Sequence, residues 1–313
     1  MQKIARPLRE ESADNTQTTV WIQMHDEPVT APDIKAGNNM KYKFGIVEWA
    51  LPPMGPYLAK MLKEFGLEGM ELDFGEYEEG YRLNNRRIQE AYLECAEQYG
   101  FEYPSMALNA LNTHGMSHDR NSVDGMIAIE TIKKGIAAAK QMKIPVVQMP
   151  SFHSGDIRTD KDFYNTCEKI RLACELSSDT DMILAVENVL DAEHTLKMID
   201  EVGCDRVKVF FDTQNYHIDR GYSEPEILAA IAEHVVQIHV KDGFNKAISS
   251  APLGKGDASF LETAEVIKRT GCTEWLFIEN FYHWQPLSLM NDDMFELLKE
   301  DICTLKNIFG GVA

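Results

Sequence analysis

The chain has 313 residues, 44% of them hydrophobic, with 50 acidic against 31 basic side chains and a formal net charge of −19. That length can bury one large core, and an α/β barrel of roughly 250 residues fits inside it. The acidic balance argues against sequence-independent nucleic-acid binding, which depends on Lys and Arg at phosphates, and no apolar run approaches the roughly 18 residues of a membrane span.

Residues 1–39 are polar and aperiodic, broken by a short Val20-Trp21-Ile22 patch and by Pro28, Pro32 and Gly37. They read as an extension, wrapped on the surface or disordered, ahead of one compact domain over 40–313. The first residues lack the apolar stretch of a secretory leader. The six cysteines are scattered with no CxxC pair, which reads as reduced, buried thiols in a cytoplasmic protein. From residue 44 onward β-rich runs alternate with helical patterns. The strands fall at 44–50, 69–74, 105–111, 145–152, 183–189, 207–213, 235–242 and 275–280. The helices follow them at 57–65, 85–99, 126–142, 162–176, 193–202, 224–232, 261–270 and 293–309. Eight such alternations predict a (β/α)8 TIM barrel. Most of the strands are continuous apolar runs, as expected when both faces are covered. Gly66, Gly100 and Gly271 read as helix C-caps. An open nucleotide-binding sheet would carry a Gly-rich turn after its first strand, and neither GxGxxG nor GxxxxGK[ST] occurs.

Four polar residues stand one each at the ends of the last four strands: Glu187, Asp212, His239 and Glu279. In a parallel α/β barrel that rim is where the active site lies. Three carboxylates and one imidazole suit one divalent metal ion (Mn, Mg, Co or Zn) with positions left for substrate oxygens. Taken singly, each is equally a helix cap or a hydrogen-bonded core residue; four in register favour the metal. Lys241 shares the strand parity of His239 and should reach the mouth, to hold a phosphate or an enediolate oxygen or to pair with Asp242 or another rim acid. Gly254-Lys255-Gly256 offers backbone N–H groups and a cation to a phosphate, or is a plain turn. Glu48 is a candidate for a sugar hydroxyl, while Glu71 reads as structural and in need of a partner. Asn188 and Asn215 are candidates to bond ligand or carboxylates. His153 is placed in the pocket, against the commoner solvent-facing loop histidine. His114 and Ser151 lie on loops, and His217 sits near the metal set. Trp49, Phe281 and Trp284 suit an apolar wall.

Several segments resemble the xylose isomerase-like TIM barrels, and most closely the L-xylulose-5-phosphate 3-epimerase group, also described as L-ribulose-5-phosphate 3-epimerases. The opening strand Phe44-Gly45-Ile46-Val47-Glu48-Trp49-Ala50-Leu51-Pro52 is similar to that group's Gly-Ile-x-Glu-x-Ala-Leu-Pro. Tyr103-Pro104-Ser105-Met106, Ile238-His239-Val240-Lys241-Asp242 and the loop from Leu253 to Phe260 resemble further segments. The likeness runs over almost the whole chain after Met40. It implies metal ligation by Glu187, Asp212, His239 and Glu279, with Glu187 and Glu279 doubling as the proton-transfer pair. It implies a sugar epimerase or isomerase, of ketose phosphates, working by proton transfer through an enediolate chelated to a divalent metal. Two departures stand out: Asp212-Thr213-Gln214-Asn215 replaces Asp-x-Gly-Asn, and Lys255 stands where an acid is common. Asn215 favours the phosphate-sugar branch, because free-sugar relatives carry a histidine there. A polyol dehydratase and a non-catalytic sugar-binding barrel are the competing readings. A DNA-cutting zinc relative would need more strand-end histidines and a basic groove. A homo-oligomer is expected by analogy.

Overall fold

The computed structural model describes residues 41–52 and 54–310; the extension assigned to 1–39 lies outside the described residues. Eight parallel strands close into one barrel: β1 (Lys43–Val47), β2 (Gly69–Asp73), β3 (Glu102–Ala107), β4 (Val146–Pro150), β5 (Ile183–Glu187), β6 (Val207–Asp212), β7 (Val235–Val240) and β8 (Trp275–Ile278). They follow sequence order around the ring, and β1 closes on β8 with Phe44 opposite Leu276 and Ile46 opposite Ile278. The expected (β/α)8 TIM barrel is therefore the fold. The helices are α1 (Leu58–Glu64), α2 (Arg86–Tyr99), α3 (Ala110–Thr113), α4 (Val123–Met142), α5 (Asp160–Leu176), α6 (Ala192–Val202), α7 (Asn215–Arg220), α8 (Glu224–Ile231), α9 (Phe260–Thr270) and α10 (Met294–Phe309).

Local chemistry fixes the helix ends. Thr159 and Asp162 form a capping box at α5, and the Ser122, Asn85 and Asp191 side chains each accept an N–H at the start of α4, α2 and α6. Gly100 and Gly271 adopt the left-handed conformation that ends α2 and α9. At α1 the cap is Phe65, and Gly66, at φ +86, lies two residues beyond the end of the helix. Two predicted strands run too far. Residues 48–50 turn into a 3-10 helix after β1, and the run 105–111 leaves its strand at Ala107 and becomes α3. Leu108, Ala110 and Leu111 are buried all the same, and a short apolar run does not distinguish a strand from a buried helix. All six cysteines are unbridged, but only Cys167 is buried and Cys303 is exposed, so the expectation of buried thiols holds only in part. Among the described residues no helix is long and apolar enough to cross a membrane.

The barrel interior rises from an aromatic floor to a polar rim. Trp275 and Phe277 stack at 5.4 Å between centroids. They fit because the facing positions on β1 and β2 carry no side chain: a Cβ on Gly45 would lie 2.6 Å from the Phe277 ring, and one on Gly69 would lie 2.7 Å from Trp275. Phe210 comes next, 6.3 Å from Phe277 and 4.2 Å from the His239 ring. The imidazole thus sits on a dry aromatic base with the strand-end carboxylates above it. The rim beyond β8 is pinned from outside. Asn280, next to Glu279, donates to Asp301 of α10 at 2.7 Å, and the Tyr282 hydroxyl donates to the same oxygen at 2.6 Å. Burial pushes the Asp301 carboxyl up to about 6, although these donors oppose it.

Candidate active site

The ends of β5, β6 and β7 and the residue after β8 deliver Glu187, Asp212, His239 and Glu279 to one place. One donor atom from each lies within 4.8 Å of the others, and all four side chains are buried. The register accounts for this. Asp212 pairs with His239 across β6 and β7, and the Glu279 N–H donates to Val240 at 2.9 Å, which continues the ladder at the same height. His239 Nδ1 faces two of the carboxylates, 3.4 Å from Glu187 Oε1 and 3.3 Å from Glu279 Oε2. Its Nε2 lies 2.5 Å from Glu71 Oε2. Glu71, expected only to need a partner, thus orients the imidazole from below and leaves Nδ1 to a ligand. Burial pushes Glu71 up to about 7 despite the neighbouring imidazole.

Each of the two glutamates is gripped. Glu187 accepts from Gln148 at Oε2 and from Asn215 Nδ2 at 3.3 Å at Oε1. Glu279 accepts from the Trp49 indole N–H at 2.9 Å and from Lys241 at 2.6 Å. Asp212 Oδ1 accepts the N–H groups of Gln214 and Asn215, both at 2.7 Å. Its Oδ2 is buried with no hydrogen bond, although the Lys241 ammonium lies 3.0 Å away. Burial raises Glu187 and Asp212, against the pull of His239 and Lys241 respectively. Burial opposes ionisation of Glu279 too, but His239 and Lys241 outweigh it and hold that carboxyl at about 2.

A divalent cation fits this donor set. Four carboxylates (Glu71, Glu187, Asp212 and Glu279) crowd round one ammonium and one imidazole, so acidic groups outnumber basic ones. An unbonded carboxylate oxygen, an imidazole Nδ1 and two further oxygens share one small volume. Hard oxygens with one nitrogen suit Mg, Mn, Co or Zn, and no cysteine belongs to the set.

The other sequence candidates separate. Asn215, His153 and Lys241 line the same cavity, which measures about 610 Å³. Lys241 is tied to Glu279 and Asp212, not to Asp242. Glu48 is fully buried and does not reach the cavity. Arg82 Nη2 holds it at 2.8 Å, the Asp73 N–H at 3.0 Å, and Tyr92 also donates to it. Gly254 and Gly256 do not face the cavity, because both N–H groups donate to Asp242 Oδ2 at 2.9 Å. His114 bonds Asp124 and Glu78 away from the cavity, and Asn188 bonds the Leu190 N–H. Trp49, Phe281 and Trp284 do form a wall. The indole donation from Trp49 and the amide donation from Gln148 are the contacts that the sequence reading missed. Gln148, a polar residue inside the β4 run, was the available signal.

Lys241 already stands where a metal's charge would act. Lys241→Met should therefore tighten Mn²⁺ binding at least about tenfold, or about 1.4 kcal/mol. The same change should destabilise the metal-free protein by about 3 kcal/mol or more, because buried carboxylates lose their partner. Calorimetric titration and chemical denaturation check the two effects, and weaker Mn²⁺ binding in the variant would contradict the competition.

Known proteins resemble the chain over most of its length. The profile of a family described as xylose isomerase-like TIM barrel matches residues 59–302. The 2-epi-5-epi-valiolone 7-phosphate 2-epimerase of an Actinoplanes species is 26% identical over 247 residues, covering 78% of this chain and 88% of that protein. L-ribulose-5-phosphate 3-epimerase UlaE of Escherichia coli is 24% identical over 241 residues, covering 72% and 83%. Among solved structures, an L-ribulose 3-epimerase superposes with a TM-score of 0.66 at 15% identity, covering 86% of this chain and 95% of that one. A D-psicose 3-epimerase from Clostridium cellulolyticum, solved with D-tagatose, gives 0.66 at 14% identity, covering 85% and 99%. At these identities the solved structures speak for the fold.

Proposed function

The chain belongs to the xylose isomerase-like TIM barrel family, and from that premise we propose that it is an isomerase, a metal-dependent 3-epimerase of a ketose phosphate. The observation that carries the reading is the convergence of Glu187, Asp212, His239 and Glu279 at the barrel mouth, with two gripped glutamates reaching in from strands three apart around the ring. Both curated relatives are named for phosphorylated substrates and for epimerisation, which supports the substrate class. The same reading takes the enzyme as cytoplasmic and homo-oligomeric.

Epimerisation beside a ketone removes the C3 proton from one face and returns a proton to the other. Glu187 and Glu279 reach in from β5 and β8, and on this reading one carboxylate takes the proton while the other delivers one. Gln148 and Asn215 fix the first, and Trp49 and Lys241 fix the second, so neither needs to reorganise during the transfer. A bound divalent cation supplies Lewis-acid stabilisation of the negative charge that develops on the substrate oxygens. Trp49, Phe281 and Trp284 give the cavity an apolar side.

The test is to incubate Mn²⁺-loaded protein in D₂O with a panel of ketose phosphates and free ketoses, and to follow C3 by NMR. Deuterium at C3 with inversion is the expected result. Exchange with carbonyl migration would make the enzyme an aldose–ketose isomerase, and no exchange with any sugar would overturn the reading.

A further inference from the structure

We propose that Arg158, braced by Asp156 beside Arg220, is the subsite that grips the substrate's phosphate. This deepens the ketose-phosphate reading and rests on it. A phosphate dianion in a pocket of so acidic a protein needs a positive partner. Among the described residues the cavity is lined by three basic side chains: Lys241, His153 and Arg158. Lys241 is fully engaged by Glu279 and Asp212. The loop of Gly254 and Gly256 points its N–H groups at Asp242 instead. That leaves the loop between β4 and α5.

The loop is anchored directly over the reacting carboxylates. Pro150 at the end of β4 pairs with Glu187, and the Ser151 N–H donates to the Glu187 carbonyl at 2.9 Å. Farther out, one carboxylate organises two guanidinium groups. Asp156 Oδ2 lies 2.6 Å from Arg158 Nη2, and Asp156 Oδ1 accepts from Arg220 Nη2. The brace is sheltered, with the Asp156 and Arg220 side chains 15% and 19% exposed, whereas Arg158 is 70% exposed. A guanidinium has five N–H donors in a rigid fork, so Arg158 keeps donors for a ligand while Asp156 holds it in place.

The spacing suits a sugar phosphate. α7 starts at Asn215, whose N–H donates to Asp212 and whose side chain donates to Glu187. It runs up the cavity wall through Ile218 and Asp219 and ends at Arg220. Five residues of helix span about 7.5 Å. A short carbon chain therefore connects a carbonyl end at the carboxylates with a phosphate end at Arg158, which lines the cavity beside the end of α7. Asp219 on the same wall repels a dianion, so the attraction has to come from the guanidinium groups.

The test compares wild type, Arg158→Met and Lys255→Met, with inorganic phosphate as probe in equilibrium dialysis. A second readout is the ratio of kcat/KM for a ketose phosphate to that for its free ketose. Arg158→Met should weaken phosphate binding at least tenfold and lower that ratio at least tenfold, while Lys255→Met leaves both as in wild type. If Arg158→Met changes neither quantity while the enzyme exchanges C3 protons, the subsite is wrong and the epimerase reading stands. If no sugar exchanges but phosphate binding is lost with Arg158, the subsite stands and the epimerase reading falls.

Discussion

Glu279→Gln should lower the rate of C3 inversion by at least about 10³-fold, or about 4 kcal/mol of barrier, while the barrel stays folded. The substitution keeps the shape of the side chain and its acceptor for the Trp49 indole. It removes the group proposed to transfer the proton and one of three carboxylates in the candidate donor set. Because metal affinity falls with it, the inversion rate has to be read at saturating Mn²⁺. The Gln variant should retain the wild-type circular dichroism spectrum, since the residues that pin this rim, Asn280, Tyr282 and Asp301, are untouched. Inversion within tenfold of wild type would remove Glu279 from the chemistry. Glu187→Gln should likewise lower inversion, because one base without its counterpart cannot return the proton to the other face.

Stripping the protein with a chelator should abolish exchange, and one equivalent of Mn²⁺ per chain should restore it. The same step should change stability. Without a metal, Glu187, Asp212 and Glu279 sit buried with only Lys241 and His239 to balance them. A ligand present at a hundred times its Kd stabilises the native state by about 2.7 kcal/mol, which for a domain of this size raises Tm by roughly 5 °C. A thermal melt with and without Mn²⁺ reads that shift. Identical melts and full activity after chelation would contradict a metal-dependent site.

The barrel and the clustering of the four rim residues were legible because each rests on a local pattern. Apolar runs ending in Glu187, Asp212, His239 and Glu279 state both the strand and the place where it stops, and the rim of a parallel barrel does the rest. Parity also placed Lys241 in the mouth. What parity does not encode is the partner: Lys241 chose Glu279 and Asp212 because those carboxylates stand at its height in the ladder, whereas Asp242 is taken by backbone N–H groups. Glu48 misled for a related reason. It stands where a strand was expected to deliver it to the mouth, but the chain turns at residue 48, and Arg82 and Tyr92 capture the carboxylate. The Asp156–Arg158–Arg220 group joins a loop to the end of α7, with 64 residues between Asp156 and Arg220, a distance over which sequence spacing says nothing. α7 is one and a half turns long, too short for its periodicity to stand out.

The central claim is that four strand-end side chains hold one divalent cation. Titrating metal-stripped protein with Mn²⁺, and following free Mn²⁺ by its paramagnetic resonance signal, tests it most directly. One tight site per chain, lost in Asp212→Asn and in His239→Ala, is the predicted result. Mn²⁺ that stays free through the first equivalent, or a tight site that survives both substitutions, would contradict it.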